Sequence, residues 1–171
     1  MHSDLVEARS MARLKCPNCS GKFVRQVARG GFKERLLEWI SFYPFKCQVC
    51  GLRFHQWGVR FIQIEGDGRE YDRLSRSLPM EFRGDQIQGE GLVLNISMGG
   101  CSFYTTSELS KGASIRLEVR LSSDAAPVVV DAAVVRHIYN QITGVEFIQW
   151  QQNERERLQL FICGLLIGRH S

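Results

Sequence analysis

Two short cysteine pairs constrain this chain more than any other feature. Cys16-Pro-Asn-Cys19 and Cys47-Gln-Val-Cys50 are both C-x-x-C. Each such pair makes a tight turn that points two thiolates at one spot, and two turns complete the tetrahedral sulfur shell that zinc prefers. Gly21 and Gly51 follow the pairs closely. A residue there is expected at positive φ, so that backbone N–H groups can reach the thiolates. A redox dithiol would use one pair, not two, and no βαβ pattern surrounds either. His55 lies near the second pair, but four cysteines already fill the shell, and it reads as an ordinary strand residue. The expected ligands of a structural zinc are Cys16, Cys19, Cys47 and Cys50.

The gap between the pairs, residues 20–46, is 27 residues long. KFVRQVAR is strand-like, Gly30-Gly31 turns the chain, and FKERLLEWISFY carries Phe32, Leu36, Leu37 and Ile40 at helical spacing. GLRFHQW and VRFIQI add strand-like segments after the second pair. This arrangement resembles a zinc ribbon with a helical insertion, over residues 1–63. A module of ~60 residues builds only a small core, and zinc contributes on the order of 10 kcal/mol to folding in comparable domains.

The remaining bounds are broad. The chain has 171 residues, 44% hydrophobic and 23% charged, as in ordinary globular proteins. No apolar run approaches the ~18 residues of a membrane span. The N-terminal stretch has no apolar core, so it does not read as a secretory signal. The expectation is a cytoplasmic protein, where patterned cysteines suggest metal rather than disulfides. Charge divides unevenly. Residues 1–60 hold 11 Lys and Arg against 4 Asp and Glu, a balance of +7, whereas residues 61–171 hold 11 against 14, a balance of −3. The seam is IEGDG, residues 64–68, short and Gly-bearing as linkers are. Basic residues of the first half, among them Arg25, Arg29 and Lys33, alternate with Phe23, Phe42, Tyr43 and Phe45. Nucleic acid is one reading of that pattern; a solvated basic face with core aromatics is the plain one, and a protein partner is preferred over nucleic acid.

The second half is patterned for strands. SIRLEVRL alternates, with Ile115, Leu117, Val119 and Leu121 on one face. With PMEFRG, GLVLNIS, CSFYTT, VVVDAAVVRHIYN and ITGVEFIQW there are about six strands at short spacing, and Asn140-Gln141 is a hairpin turn. A closed antiparallel barrel or a sandwich follows. NERERLQLFICGLLIG turns helical, and Leu158, Phe161, Ile162, Leu165 and Leu166 form a stripe to cap the barrel. Cys101 and Cys163 read as buried small hydrophobes.

Inside this half, NISMGG (95–100) places an amide, a hydroxyl and two glycines between strands, and Arg69-Glu-Tyr-Asp-Arg73 precedes the first strand. Taken alone, either is ordinary: Asn95 and Ser97 could satisfy turn backbone, with Gly99 and Gly100 supplying unusual φ values. In order, however, R-x-x-x-R, a strand, N-x-S-x-x-G, GVEF in a late strand and a final helix resemble the PilZ family of cyclic di-GMP receptors, over roughly residues 69–167. The resemblance implies a six-stranded antiparallel barrel with a C-terminal helix, spanning 69–171. It also implies that Arg69 and Arg73 clamp the dinucleotide, that Asn95 and Ser97 hydrogen-bond a guanine or phosphate, and that Gly99 and Gly100 let the backbone come close. The chemistry agrees. An Arg fork matches guanine O6 and N7, stacks on purines and answers phosphate charge, where Lys offers no planar fork.

No nucleophile elbow, phosphate-cradling loop or partnered carboxylate pair stands out, and the four histidines are scattered through dissimilar contexts. The expectation is a bacterial receptor without catalysis, mainly β. Cyclic di-GMP binds at the linker and barrel rim, and the signal leaves through the ribbon or a barrel face to a protein partner. The rival readings are a nucleic-acid-binding ribbon regulator tuned by the barrel and a ligand-free adaptor.

Overall fold

The computed structural model describes residues 14–27, 41–58 and 70–169. The chain divides into two compact units, Met1–Asp72 and Arg73–Ser171. The division falls inside the arginine motif. The sequence-derived linker 64–68 lies outside the described residues, as do the helical insertion up to residue 40 and the VRFIQI segment.

The first unit holds a three-stranded antiparallel sheet in the order β1-β2-β3: β1 (Val24–Gln26), β2 (Phe42–Cys47) and β3 (Arg53–Trp57). Val24 pairs with Cys47, and Phe45 with Phe54. Among the described residues its core is small: Leu14, Tyr43 and Phe45 are buried, with Val24 and Phe54 packed against them. These few side chains supply little burial energy, and a cysteine centre beside them adds to what holds the sheet.

The second unit is a closed barrel of six antiparallel strands, ordered β4-β5-β6-β9-β8-β7. The strands are β4 (Leu74–Arg83), β5 (Gln88–Ser97), β6 (Gly100–Tyr104), β7 (Ser114–Val119), β8 (Val128–Tyr139) and β9 (Ile142–Gln149). Closure leaves no sheet edge exposed. Period-two alternation fills the interior: Phe82, Val93, Phe103, Leu117, Val128 and Val135 are all buried. Phe82 and Phe103 meet at 5.8 Å between ring centroids. β4 starts five residues before PMEFRG, because its register with β5 shifts between Ser75 and Leu78. That irregularity hides the strand start from an alternation test. Asn140 makes the β8–β9 turn at φ 54°, as its position requires.

Helix α1 (Gln152–Arg169) follows β9 and packs on β8 and β4. It buries Leu158, Ile162 and Leu166, while Phe161 and Leu165 are half-buried at the flanks of the stripe. Glu154 in the first turn accepts from Val129 N–H at 3.0 Å and from Arg157 at 2.9 Å, and Arg157 also donates to Pro127 O at 3.1 Å. These bonds pin the helix start to the beginning of β8. Among the described residues no helix is long and apolar enough to cross a membrane. Cys101 is fully buried as expected, and Cys163 on α1 only half so.

Candidate functional site

The two cysteine turns repeat one backbone design. Cys16 N–H donates to Gly21 O and Cys47 N–H to Leu52 O; Ser20 N–H returns to Cys16 O and Gly51 N–H to Cys47 O. Position by position, Ser20 corresponds to Gly51, and both are at positive φ, 55° and 77°. The expectation of positive φ thus holds at Gly51, but in the first turn it falls on Ser20 and not on Gly21. Gly21 has a different reason to be glycine: a Cβ there would sit 3.2 Å from Cys19 Sγ.

These turns bring the sulfurs of Cys16, Cys19, Cys47 and Cys50 within 4.8 Å of one another, a group that could hold a metal ion. Cys16 and Cys50 sulfurs lie 3.4 Å apart, those of Cys19 and Cys47 3.6 Å. Tetrahedral ligation at ~2.3 Å would place sulfurs ~3.8 Å apart, so the shell fits with little movement. All four are free thiols. Burial pushes the Cys47 and Cys19 thiols up, against backbone N–H groups that favour the thiolate. At Cys50 burial also raises the value, but the Leu52 N–H and the Asn18 side chain outweigh it and bring it down to about 7. Donors aimed at sulfur are what a thiolate–metal centre needs around it.

On the barrel, NISMGG forms the β5–β6 hairpin, with Ser97 paired to Gly100. Ser97 is buried and its hydroxyl is used twice, donating to Gly100 O at 3.1 Å and accepting from Gly99 N–H at 3.3 Å. Met98 at the tip turns inward and is buried. Gly99 O accepts from Phe147 N–H at 3.0 Å. A Cβ on Gly100 would lie 2.1 Å from Val145 O, so β9 packs where a side chain would stand. Ser97, Gly99 and Gly100 therefore build the hairpin whether or not a ligand is present.

Arg73 and Asn95 are arranged differently. Ser75 pairs with Asn95, Asn95 with Ser102, Ser102 with Gly144, and Gly144 with His137. Directly paired residues share a face, so a polar row crosses five strands. Arg73, just ahead of β4, donates from Nη1 to Ser102 Oγ at 3.0 Å. Asn95 Oδ1 is buried and has no hydrogen-bond partner among the described residues. Burial pushes the neighbouring Cys101 thiol up to about 12, with the Arg73 charge pulling the other way. Beside Arg73 opens a cleft of about 390 Å³ with Arg76 and Arg169 on its walls. Gly164 and Gly168 of α1 line the cleft, and a Cβ on either would meet nothing within 4 Å.

Of the sequence-predicted residues, Arg73 and Asn95 converge on Ser102, and Ser97, Gly99 and Gly100 form the adjoining turn. Arg69 lies outside the described residues. Sequence reasoning missed Ser75 and Ser102. Their signal was a serine on a strand, too common to be noticed without the register.

A PilZ domain model matches residues 67–163, more than half of the chain and both motifs. Solved structures with a similar fold include the Bacillus subtilis inhibitor of motility (MotI/DgrA). It is 17% identical, with 76% of this chain and 68% of that one covered at a TM-score of 0.53. The PilZ domain of CeSA from a cellulose-synthesizing bacterium is 16% identical, with 58% and 99% covered at 0.43. K. pneumonia MrkH in its apo state is 12% identical, with 86% and 78% covered at 0.46. Comparison with curated proteins gave no match. The barrel, the order of its motifs and the family match agree, and the chain belongs to the PilZ domain family.

Proposed function

We propose that this protein is a cyclic di-GMP receptor that binds the dinucleotide with Arg69, Arg73, Asn95 and the Ser97–Gly100 turn. PilZ domains are in general receptor or adaptor domains and not catalysts, which suits a chain with no catalytic constellation in its sequence. One observation carries the reading: the buried, unpartnered Oδ1 of Asn95, on the polar row to which Arg73 is already drawn. A buried acceptor without a donor costs about 1–3 kcal/mol. The missing partner must be a donor, which a phosphate is not. Guanine N2–H is one, so Asn95 would face the base while the arginines take O6, N7 and the phosphates.

The four cysteines fit zinc by donor type, number and spacing. Bound zinc would act structurally, cross-linking two turns beside the small described cluster of Leu14, Tyr43 and Phe45. Cys16, Cys19, Cys47 and Cys50 would each give one thiolate, and the surrounding N–H groups would share the charge. The receptor's output goes to a protein partner. The basic balance of residues 1–60 supports this. So does an exposed apolar row on the barrel, Leu92, Tyr104, Ile142 and Tyr139, paired in register across four strands.

Calorimetric titration with cyclic di-GMP, with GTP as control, tests the central claim. Saturable binding of cyclic di-GMP alone, weakened in Arg73→Ala, supports it. Absence of binding by the wild type, or full binding by the Arg69/Arg73 double variant, rejects it.

A further inference from the structure

The three residues between the motif arginines, Glu70-Tyr71-Asp72, belong to the compact unit of the cysteine centre, and each is held there. Gln48, inside the second C-x-x-C, is 5% exposed and uses both ends of its amide on them. Its Nε2 donates to Glu70 O at 3.1 Å, and its Oε1 accepts from Asp72 N–H at 2.7 Å. Glu70 also forms ion pairs with Lys46 of β2 and, at 3.0 Å, with Arg53 of β3. Asp72 pairs with Arg25 of β1. Lys46 Nζ stands 4.4 Å from the centre of the Tyr71 ring. Two acids and an aromatic thus meet three bases and an amide.

We infer that Gln48 is a positioning residue for the dinucleotide site: with Lys46, Arg53 and Arg25, it holds the backbone that joins Arg69 to Arg73 and so sets ligand affinity. This rests on the reading of those arginines as ligand-binding residues. The physical reason is entropic. A loose connecting segment would have to be ordered when both guanidinium groups engage, and affinity falls by the fraction of molecules already in the competent arrangement. Here Gln48 holds the main chain of Glu70 and Asp72 in advance, as a neighbouring strand would. The ion pairs are partly exposed and contribute less. The placement of Gln48 matters as well. It lies between Cys47 and Cys50, so the metal-binding turn itself carries the side chain that orients the motif.

The test uses the full-length, zinc-loaded protein and cyclic di-GMP, with stopped-flow association and dissociation rates beside calorimetry. Gln48→Met keeps the volume and removes both bonds. It should retain its zinc, speed amide exchange at Asp72 and raise Kd about tenfold through a slower association rate. Arg73→Ala, a contact residue, should instead speed dissociation. The Glu70→Ala/Asp72→Ala double variant removes only partly exposed ion-pair partners, and should raise Kd about threefold through association. It decides the matter if Gln48→Met loses metal. If Arg73→Ala weakens binding while the other variants bind like wild type, or lose affinity only through dissociation, the inference falls and the receptor reading stands. If the wild type does not bind, both fall.

Discussion

Arg73 rests on Ser102, Nη1 to Oγ at 3.0 Å, and Ser102 is the cross-strand partner of Asn95. An exposed arginine is therefore already aimed at the row where Asn95 lacks a donor. This bond is to a neutral hydroxyl, which guanine and phosphate acceptors can replace at little loss. Arg69→Ala and Arg73→Ala should each weaken cyclic di-GMP binding about ten- to a hundredfold, without unfolding the barrel. Arg73→Lys should recover little, because an ammonium offers neither fork nor stacking plane. Calorimetry on the three variants checks the order.

Asn95 and Ser97 are two residues apart and should behave oppositely in stability. Asn95→Ala removes an unpartnered buried acceptor, so the ligand-free barrel should melt at the same temperature or slightly higher, while affinity falls. Ser97→Ala removes two turn bonds and should destabilise the barrel by about 1–2 kcal/mol. In a domain of this size, that is roughly 4–8 °C in Tm per kcal/mol. Thermal unfolding with and without cyclic di-GMP separates the two.

Protein produced in zinc-containing medium should carry one zinc per chain, measured by elemental analysis. Cys16→Ser or Cys50→Ser should lose the metal and unfold the first unit, leaving the barrel's near-UV spectrum intact. A metal-free wild type, or a disulfide in reduced extract, would count against the zinc assignment.

Thiol reactivity should be graded. With the pKa of Cys101 raised to about 12 by burial, iodoacetamide at pH 8 should leave it unmodified. Cys163 should react first in the metal-loaded protein, and a chelator should expose four more thiols. The sign of the stability effect follows from the raised value. Unfolded Cys101 ionises near its ordinary 9.0 while the folded thiol stays protonated. Its stabilising contribution is therefore complete below pH 9 and is lost as pH rises toward 12. Cys101→Ala should flatten the decline of Tm above pH 9.

The cysteine spacing and strand alternation made the metal-type shell and the six-strand barrel legible, because both are local patterns repeated several times. Ile115, Leu117 and Val119 are buried as their alternation indicates. What could not be read depends on register. Ser102 becomes a site residue only because it pairs with Asn95 and receives Arg73. The bulge between Ser75 and Leu78 hid the start of β4. Gln48 looked like filler between two cysteines until its amide was found on residues more than twenty positions away. Gly21 and Gly51 looked equivalent, but hydrogen bonding aligns Gly51 with Ser20.

The hairpin carries a consequence for reading such motifs elsewhere. Gly100 must lack a side chain because Val145 O occupies the place, and Ser97 closes the turn on its own backbone. A descendant of this chain that abandoned its ligand would have reason to retain both letters, since the barrel would be less stable without them. Arg73 and Asn95 would drift, one exposed and the other carrying an unfilled acceptor. In a barrel of this design, S-x-x-G attests to the architecture, and the asparagine and arginines are the letters that testify to occupancy.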